Sequence, residues 1–287
     1  MKKILMAAAL MAVFSVSVSA KTLVTVNGEK IDSALVDAQV QLIGQKSNGQ
    51  IQDSEPLRNG LLERLVAQTV VGQEAKRLKL DQSPQYKEAV QKSRAAAKEQ
   101  GIDKQPTFKQ EFAQYERDLL SSAYAAYVAQ QNPVTEAQVQ QFYQGYSQHY
   151  QGTEQVQMSE IFVANEADAK GVVADLKKGQ KFADVAKAKS LDPRAKQSGG
   201  ANDNYLNLKD VQEAAPAVYA AVNGLKKGQY SQPIQSQNMW AVFKIEDRRK
   251  MNVPTFEQMK PSIENQLRNQ TVDAAIGQLF QKAKIEQ

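Results

Sequence analysis

The apolar residues of this chain change their spacing twice, and that change limits what the chain can fold into. Between Asp32 and Tyr146 they recur mostly at helical steps; from Gln155 to Val163 they alternate; from Phe256 onward the helical spacing returns. Helical steps put apolar side chains on one face of an α-helix, whereas alternation puts them on one face of a strand. The last stripe carries Phe256, Met259, Ile263, Leu267, Ile276, Leu279 and Phe280. It needs an apolar partner, because a lone amphipathic helix leaves that face in water. The helical N-terminal half is the natural one. The expected class is therefore α+β: a helical domain made of the N-terminal helices plus the C-terminal helix, with a small α/β domain inserted between its two parts.

Individual elements follow from the same pattern. Leu23, Val24 and Val26 precede an Asn27-Gly28 pair, which reads as a strand and a hairpin-like turn. Helices are expected where Leu35 to Ile43, Leu57 to Leu78 and Phe108 to Tyr127 form stripes. A fourth opens at Thr135, where Gln138 completes a capping box, and its Val139, Phe142, Tyr143 and Tyr146 read as core. In the alternating segment, Val156, Met158, Glu160 and Phe162 share one face, and Ser159, Ile161 and Val163 the other. Asn165 caps a helix that Gly179 ends. "FADVAKAKS", a helix around "APAVYAAVNGL", a "KKGQYSQP" turn and a last strand "NMWAVFKIEDR" complete the insert, in the order strand, helices, short strand, strand. Thr255 and Gln258 form another capping box, and Pro261 should only bend the first turns that follow. The expected domains are a signal sequence at 1–20, a helical domain at 21–152, an α/β domain at 153–249, and a C-terminal helix at 250–287 that packs on the N-terminal domain.

The first twenty residues carry two lysines, an apolar or small run from Ile4 to Val18, and Val18-Ser19-Ala20, which suits cleavage after Ala20. The run is shorter than the roughly 20 residues that a spanning helix needs. Export to the periplasm is expected, with no stable membrane insertion once the signal is removed. There is no cysteine, so no disulfide is involved in an oxidising compartment and no lipid is attached after the signal. The single histidine, His149, leaves no histidine-based metal cluster and no Ser-His or Cys-His nucleophile to be expected. A neutral or structural role is expected of it, with no metal and no cofactor. The formal charge of +5 falls to +3 when Lys2 and Lys3 leave, and the remaining lysines are interleaved with acids, so no nucleic acid partner is expected.

The segment from Gln155 to Arg248 resembles the parvulin-type peptidyl-prolyl cis-trans isomerases. The likeness rests on "EIFV", the block "EADAKGVVADLKKGQKFADVAKAKSLDP", Gly199-Gly200, "LKKGQYSQPIQSQ" and "KIEDR". The flanks, "VTVNGEKID" with "LLERLVAQTVVGQEAKRLKL" and "PVTEAQVQQFYQGY", resemble the chaperone module of exported foldases of the SurA and PrsA type. The resemblance implies rotation about Xaa-Pro bonds, whose barrier of about 18–20 kcal/mol comes from amide resonance. An enzyme lowers it by gripping proline in an apolar pocket and tuning the polarity around the carbonyl, without cofactor or covalent intermediate.

The family's site holds a histidine on its first strand and another on its last. Glu160 and Ala241 stand at those positions here. Asp192 matches the family's Asp or Cys beside the carbonyl, and Ser236 its hydroxyl residue before the last strand. The resemblance implies Asp192, Ser236 and Glu160 as the polar site, with Tyr205, Val218 and Trp240 holding proline; the alternative reading of Trp240 is core or sheet cover. Val218 stands where a phenylalanine is usual. Glu160 and Asp192 would set two carboxylates close together and raise the pKa of one; alternatively, Glu160 merely replaces a buried histidine and reaches solvent. The implied protein is an exported folding factor that binds unfolded or newly exported polypeptides, with isomerase activity weak or lost. The alternative is a non-catalytic structural or adhesive surface protein that uses the parvulin fold as a docking module.

Overall fold

The computed structural model describes residues 21–236 and 238–287; the signal expected at 1–20 lies outside the described residues. In chain order the elements begin with β1 (Thr22–Val26), β2 (Glu29–Asp32), α1 (Ser33–Lys46), α2 (Glu55–Arg77), α3 (Pro84–Glu99) and α4 (Phe108–Gln131). Next come α5 (Glu136–Tyr150), β3 (Glu154–Val163), α6 (Glu166–Lys177), α7 (Phe182–Lys189), α8 (Pro193–Ser198) and β4 (Ala201–Asn207). Then follow α9 (Leu208–Ala214), α10 (Pro216–Val222), β5 (Ile234–Ser236), β6 (Met239–Lys250), α11 (Phe256–Lys282) and β7 (Ile285–Glu286). The fold is α+β, and the described residues divide into a unit of 21–134 with 265–287 and a second of 135–264.

In the first unit the Asn27-Gly28 turn has both residues at positive φ, +49° and +88°, the conformation that closes a two-residue hairpin between β1 and β2. Asp32 and Ser54 cap α1 and α2 by accepting from the backbone of Leu35 and Leu57. The C-terminal stripe finds its partner as expected. Leu279 and Phe280 pack against Val24, Val26, Leu61 and Leu65, while Val272 and Ile276 pack against Val71, Leu120, Tyr124 and Val128. Helix α11 runs unbroken through Pro261. Two features were not expected from the sequence. Helix α3 is capped by Ser83 and has Pro84 at its start, but buries no residue fully. Strand β7 adds to β1, with Val26 opposite Ile285.

The second unit is wider than 153–249, because it takes in α5 and the start of α11. The Tyr143 hydroxyl donates to the Pro254 carbonyl at 3.0 Å, Lys260 pairs with Glu136 at 2.8 Å, and Phe256 meets Tyr143 edge-on. Its sheet has the antiparallel order β4-β3-β6-β5. Strand β4 was not expected, since its sequence, ANDNYLN, is polar and only Asn207 is buried. Each sheet face carries its own core. Ile161, Val163 and Val242 pack under α6 and α7, whereas Val156, Met158, Ala241, Phe243 and Ile245 pack with Leu208 and Val222 of α9 and α10.

Candidate active site

The loop between α7 and β4 is held against β3 at both ends. At its start, the Leu191 amide donates to the Phe162 carbonyl at 2.7 Å, and the buried Ser190 hydroxyl accepts from the amides of Phe162 and Asp192. At its end, the Glu160 amide donates to the Gly200 carbonyl at 2.9 Å. Only glycine suits the close: Gly199 and Gly200 sit at φ +72° and +84°, and a Cβ on Gly200 would lie 2.6 Å from the Glu160 carbonyl oxygen. Between these anchors, Asp192 caps the short helix α8, accepting from the Arg194 amide at 2.9 Å, with Pro193 at the first helical position. The loop thereby brings Asp192 to Glu160.

The two carboxyls are driven apart electrostatically. The Arg194 amide hydrogen bond, reinforced by the Arg194 guanidinium, holds Asp192 below the usual carboxylate range. Burial, and secondarily the charge of Asp192, push Glu160 above it, against a smaller opposing effect of Arg194. Asp192 is the anion of the pair, and half-buried Glu160 is the one that takes up a proton first as the pH falls.

Glu160 shares its sheet face with the second apolar cluster. Ala241 is fully buried and pairs with Phe162 on one side and Ile234 on the other; Glu160 pairs with Phe243 and so lies diagonal to Ala241. Phe162 and Phe243 meet edge-on at 6.2 Å, and half-buried Val218 packs against this cluster from α10. Ser236 follows Ile234 by two residues on β5, which places it on the same side at the strand's end, paired with Met239.

The structure does not bring the other two expected residues to this face. Trp240 is next to Ala241 in sequence, so strand alternation turns it to the opposite side, where it packs with the cluster under α6 and α7. Tyr205 is engaged elsewhere: its hydroxyl donates to Asp247 at 2.6 Å, and the Arg249 guanidinium lies 3.4 Å from its ring centroid. In their place the apolar wall is Phe162, Phe243 and Ile234. Their signal was already present in the sequence, since Phe162 and Phe243 lie on the Glu160 and Ala241 face by simple alternation. Exposed Leu191, adjacent to Asp192, adds an apolar side chain at the rim.

Such an arrangement can act on a prolyl amide without covalent chemistry. In the planar amide, resonance places negative charge on the carbonyl oxygen; in the twisted transition state that charge diminishes. An anion such as Asp192 beside the carbonyl, together with an apolar surface beneath the ring, disfavours the planar form more than the twisted one.

These features define a parvulin domain. The PPIC-type PPIase domain matches residues 134–261, nearly the stretch of the second unit. Beyond that domain, the likeness covers the chain from end to end. A Bordetella pertussis protein described as "Probable parvulin-type peptidyl-prolyl cis-trans isomerase" is 30% identical over 288 residues, covering 100% of both chains. A "Parvulin-like PPIase" of Rickettsia felis is 26% identical over 200 residues, 70% of this chain and 68% of its own. A peptidylprolyl isomerase (PrsA) structure from Bacillus anthracis gives a TM-score of 0.42 at 24% identity, covering 77% of this chain and 96% of that one. The chain belongs to the parvulin-type peptidyl-prolyl cis-trans isomerase family.

Proposed function

We propose that this protein is an exported folding factor that binds unfolded or newly translocated polypeptides, and that its isomerase site is degenerate and turns over Xaa-Pro bonds slowly or not at all. The observation that carries the reading is the pair of diagonal neighbours at the centre of the site. A half-buried carboxyl and a fully buried methyl, Glu160 and Ala241, stand where the family resemblance implies histidines. Asp192, Ser236 and Val218 remain on or at the rim of that face. Export rests on the N-terminal lysines, apolar run and Val18-Ser19-Ala20. No helix among the described residues is long and apolar enough to cross a membrane.

A proline-limited refolding assay on residues 21–287, run beside an aggregation assay with an unrelated unfolded client, tests the reading. Suppressed aggregation with little acceleration of refolding is the expected result. Full acceleration would overturn the degenerate site, and failure to protect any client would overturn the folding role. In the Glu160→His/Ala241→His double variant, kcat/KM should rise by about tenfold or more, equivalent to about 1.4 kcal/mol of transition-state stabilisation, with aggregation suppression unchanged.

A further inference from the structure

His149 is the only histidine of the chain, and the site described above does not use it. It lies in the last turn of α5, where its Nε2 is 3.5 Å from a carboxylate oxygen of Asp210 and 3.9 Å from one of Glu213. One ligand atom from each of the three lies within 4.8 Å of the other two. Asp210 and Glu213 are three residues apart on α9 and so present both carboxylates from one helix face. Around a tetrahedral ion with ligands at about 2.0–2.1 Å, neighbouring donor atoms stand about 3.3 Å apart. The observed spacing therefore needs only small rotamer adjustments to close on a cation.

The surroundings suit the same purpose. The Tyr150 hydroxyl donates to both oxygens of Asp210, at 3.0 and 3.2 Å, and orients that carboxylate as a supporting hydrogen bond does for a metal ligand. Among the described residues, Lys209 is the one cation bonded here, and its ammonium is directed to the His149 carbonyl at 3.2 Å rather than to either carboxylate. His149 is partly buried while both acids are exposed, which leaves room for water to complete the coordination. The end of α5 also presents the negative pole of its helix.

We propose that His149, Asp210 and Glu213 form a binding site for a divalent transition-metal cation of the zinc class, which ties the last turn of α5 to α9. One imidazole with two carboxylates suits zinc and its first-row neighbours, whereas calcium and magnesium demand more oxygen ligands and make little use of imidazole. Helix α9 buries Leu208 and Val211 and leads directly into α10, which carries Val218. A bound ion therefore restrains the helix pair that forms one wall of the candidate active site.

The test is calorimetric titration of tag-free, chelator-treated protein spanning 21–287 with zinc chloride, paralleled by Co2+ absorption and by NMR of the single histidine ring. One saturable site is expected, with cobalt d–d bands, loss of the His149 ring signals on adding Co2+, a raised melting temperature with zinc, and no competition from Mg2+ or Ca2+. His149→Ala should abolish the site, Glu213→Gln should weaken it, and Tyr150→Phe should weaken it about tenfold. Glu213 is exposed, so its variant keeps the test decisive should His149→Ala fold poorly. The absence of saturable zinc binding, or binding unchanged in both His149→Ala and Glu213→Gln, would show the cluster to be an ion pair only and overturn the proposal.

Discussion

At Gly200 a single hydrogen atom in place of a side chain decides whether the loop can close on β3. Gly200→Ala would set a Cβ 2.6 Å from the Glu160 carbonyl oxygen while holding alanine at φ +84°. Left-handed backbone alone costs about 1–2 kcal/mol for a residue with a Cβ, and a backbone contact at that distance adds to it. Urea denaturation should show a loss of at least about 2 kcal/mol, whereas Gly224→Ala, with open space around it, should stay within about 0.5 kcal/mol. Glu160 makes a prediction of opposite character. Its carboxyl is held above the unfolded value, so the folded state favours the protonated form. That contribution is full below the unfolded pKa of about 4.3 and is lost as the pH rises through the higher folded value. Glu160→Gln should therefore be more stable than the parent chain at pH 7, and the difference should shrink toward zero below pH 4. Urea midpoints at the two pH values check it; an equal gain at both would mean that the charge is not the cause. Asp192 behaves in reverse, its stabilisation being present above its unfolded pKa and lost as the pH falls. Part of this juxtaposition was legible in the sequence: Asp192, Glu160 and the Gly-Gly pair, which the family resemblance singles out, lie together in the structure. Trp240 and Tyr205 lie elsewhere, and only the first of these placements could be read from the sequence. The face of Trp240 follows from its adjacency to Ala241, but the partners of Tyr205, Asp247 and Arg249, come from β6, more than forty residues away.

At the scale of elements, the sequence shows what burial pays attention to and hides what it ignores. Helices α1, α2, α4 and α11 bury stripes and were read from spacing; α5 announced itself through its capping box, in which both reciprocal hydrogen bonds form. Helix α3 and strand β4 bury almost nothing fully, so no apolar period marks them; α3 is held by its cap and by contacts of Tyr86, Ser93 and Arg94 with α4, and β4 by pairing with β3. Strand β7 is two residues long, and its pairing with β1 spans nearly the whole chain. The terminal stripe is the element whose energetics can be tested most simply. Leu279 packs into both apolar clusters of the first unit. Leu279→Ala should cost about 2 kcal/mol, the low end for a leucine because the side chain is only partly buried. Leu206→Ala removes the same atoms from a residue that is 38% exposed on β4, and should cost less than about 0.5 kcal/mol. Equal losses in chemical denaturation would mean that α11 is not held by its stripe.

Across the whole molecule, the apolar clusters respect the division of the chain. Among the described residues, both clusters of the unit 135–264 draw only on residues between Val156 and Ile245, and both of the other unit draw only on residues up to Val128 or from Val272 onward. Hydrophobic burial is the main favourable term in folding, so a unit that contains its clusters whole carries its own stability. The excised segment 135–264 is therefore expected to unfold in one cooperative transition, as is a chain in which 21–134 is joined to 265–287 by a Gly/Ser linker. Because the m-value scales with the surface exposed on unfolding, each should show a smaller slope than the whole chain unfolding at once would require. If the excised segment instead binds ANS and melts without cooperativity, its two clusters do not suffice to hold it. The same pair of pieces separates the activities proposed above. Aggregation suppression should stay with the helical piece, and any acceleration of proline-limited refolding should stay with 135–264, since Glu160, Asp192, Ala241 and Val218 all lie within it. Loss of both activities in both folded pieces would mean that the protein works only as an undivided chain.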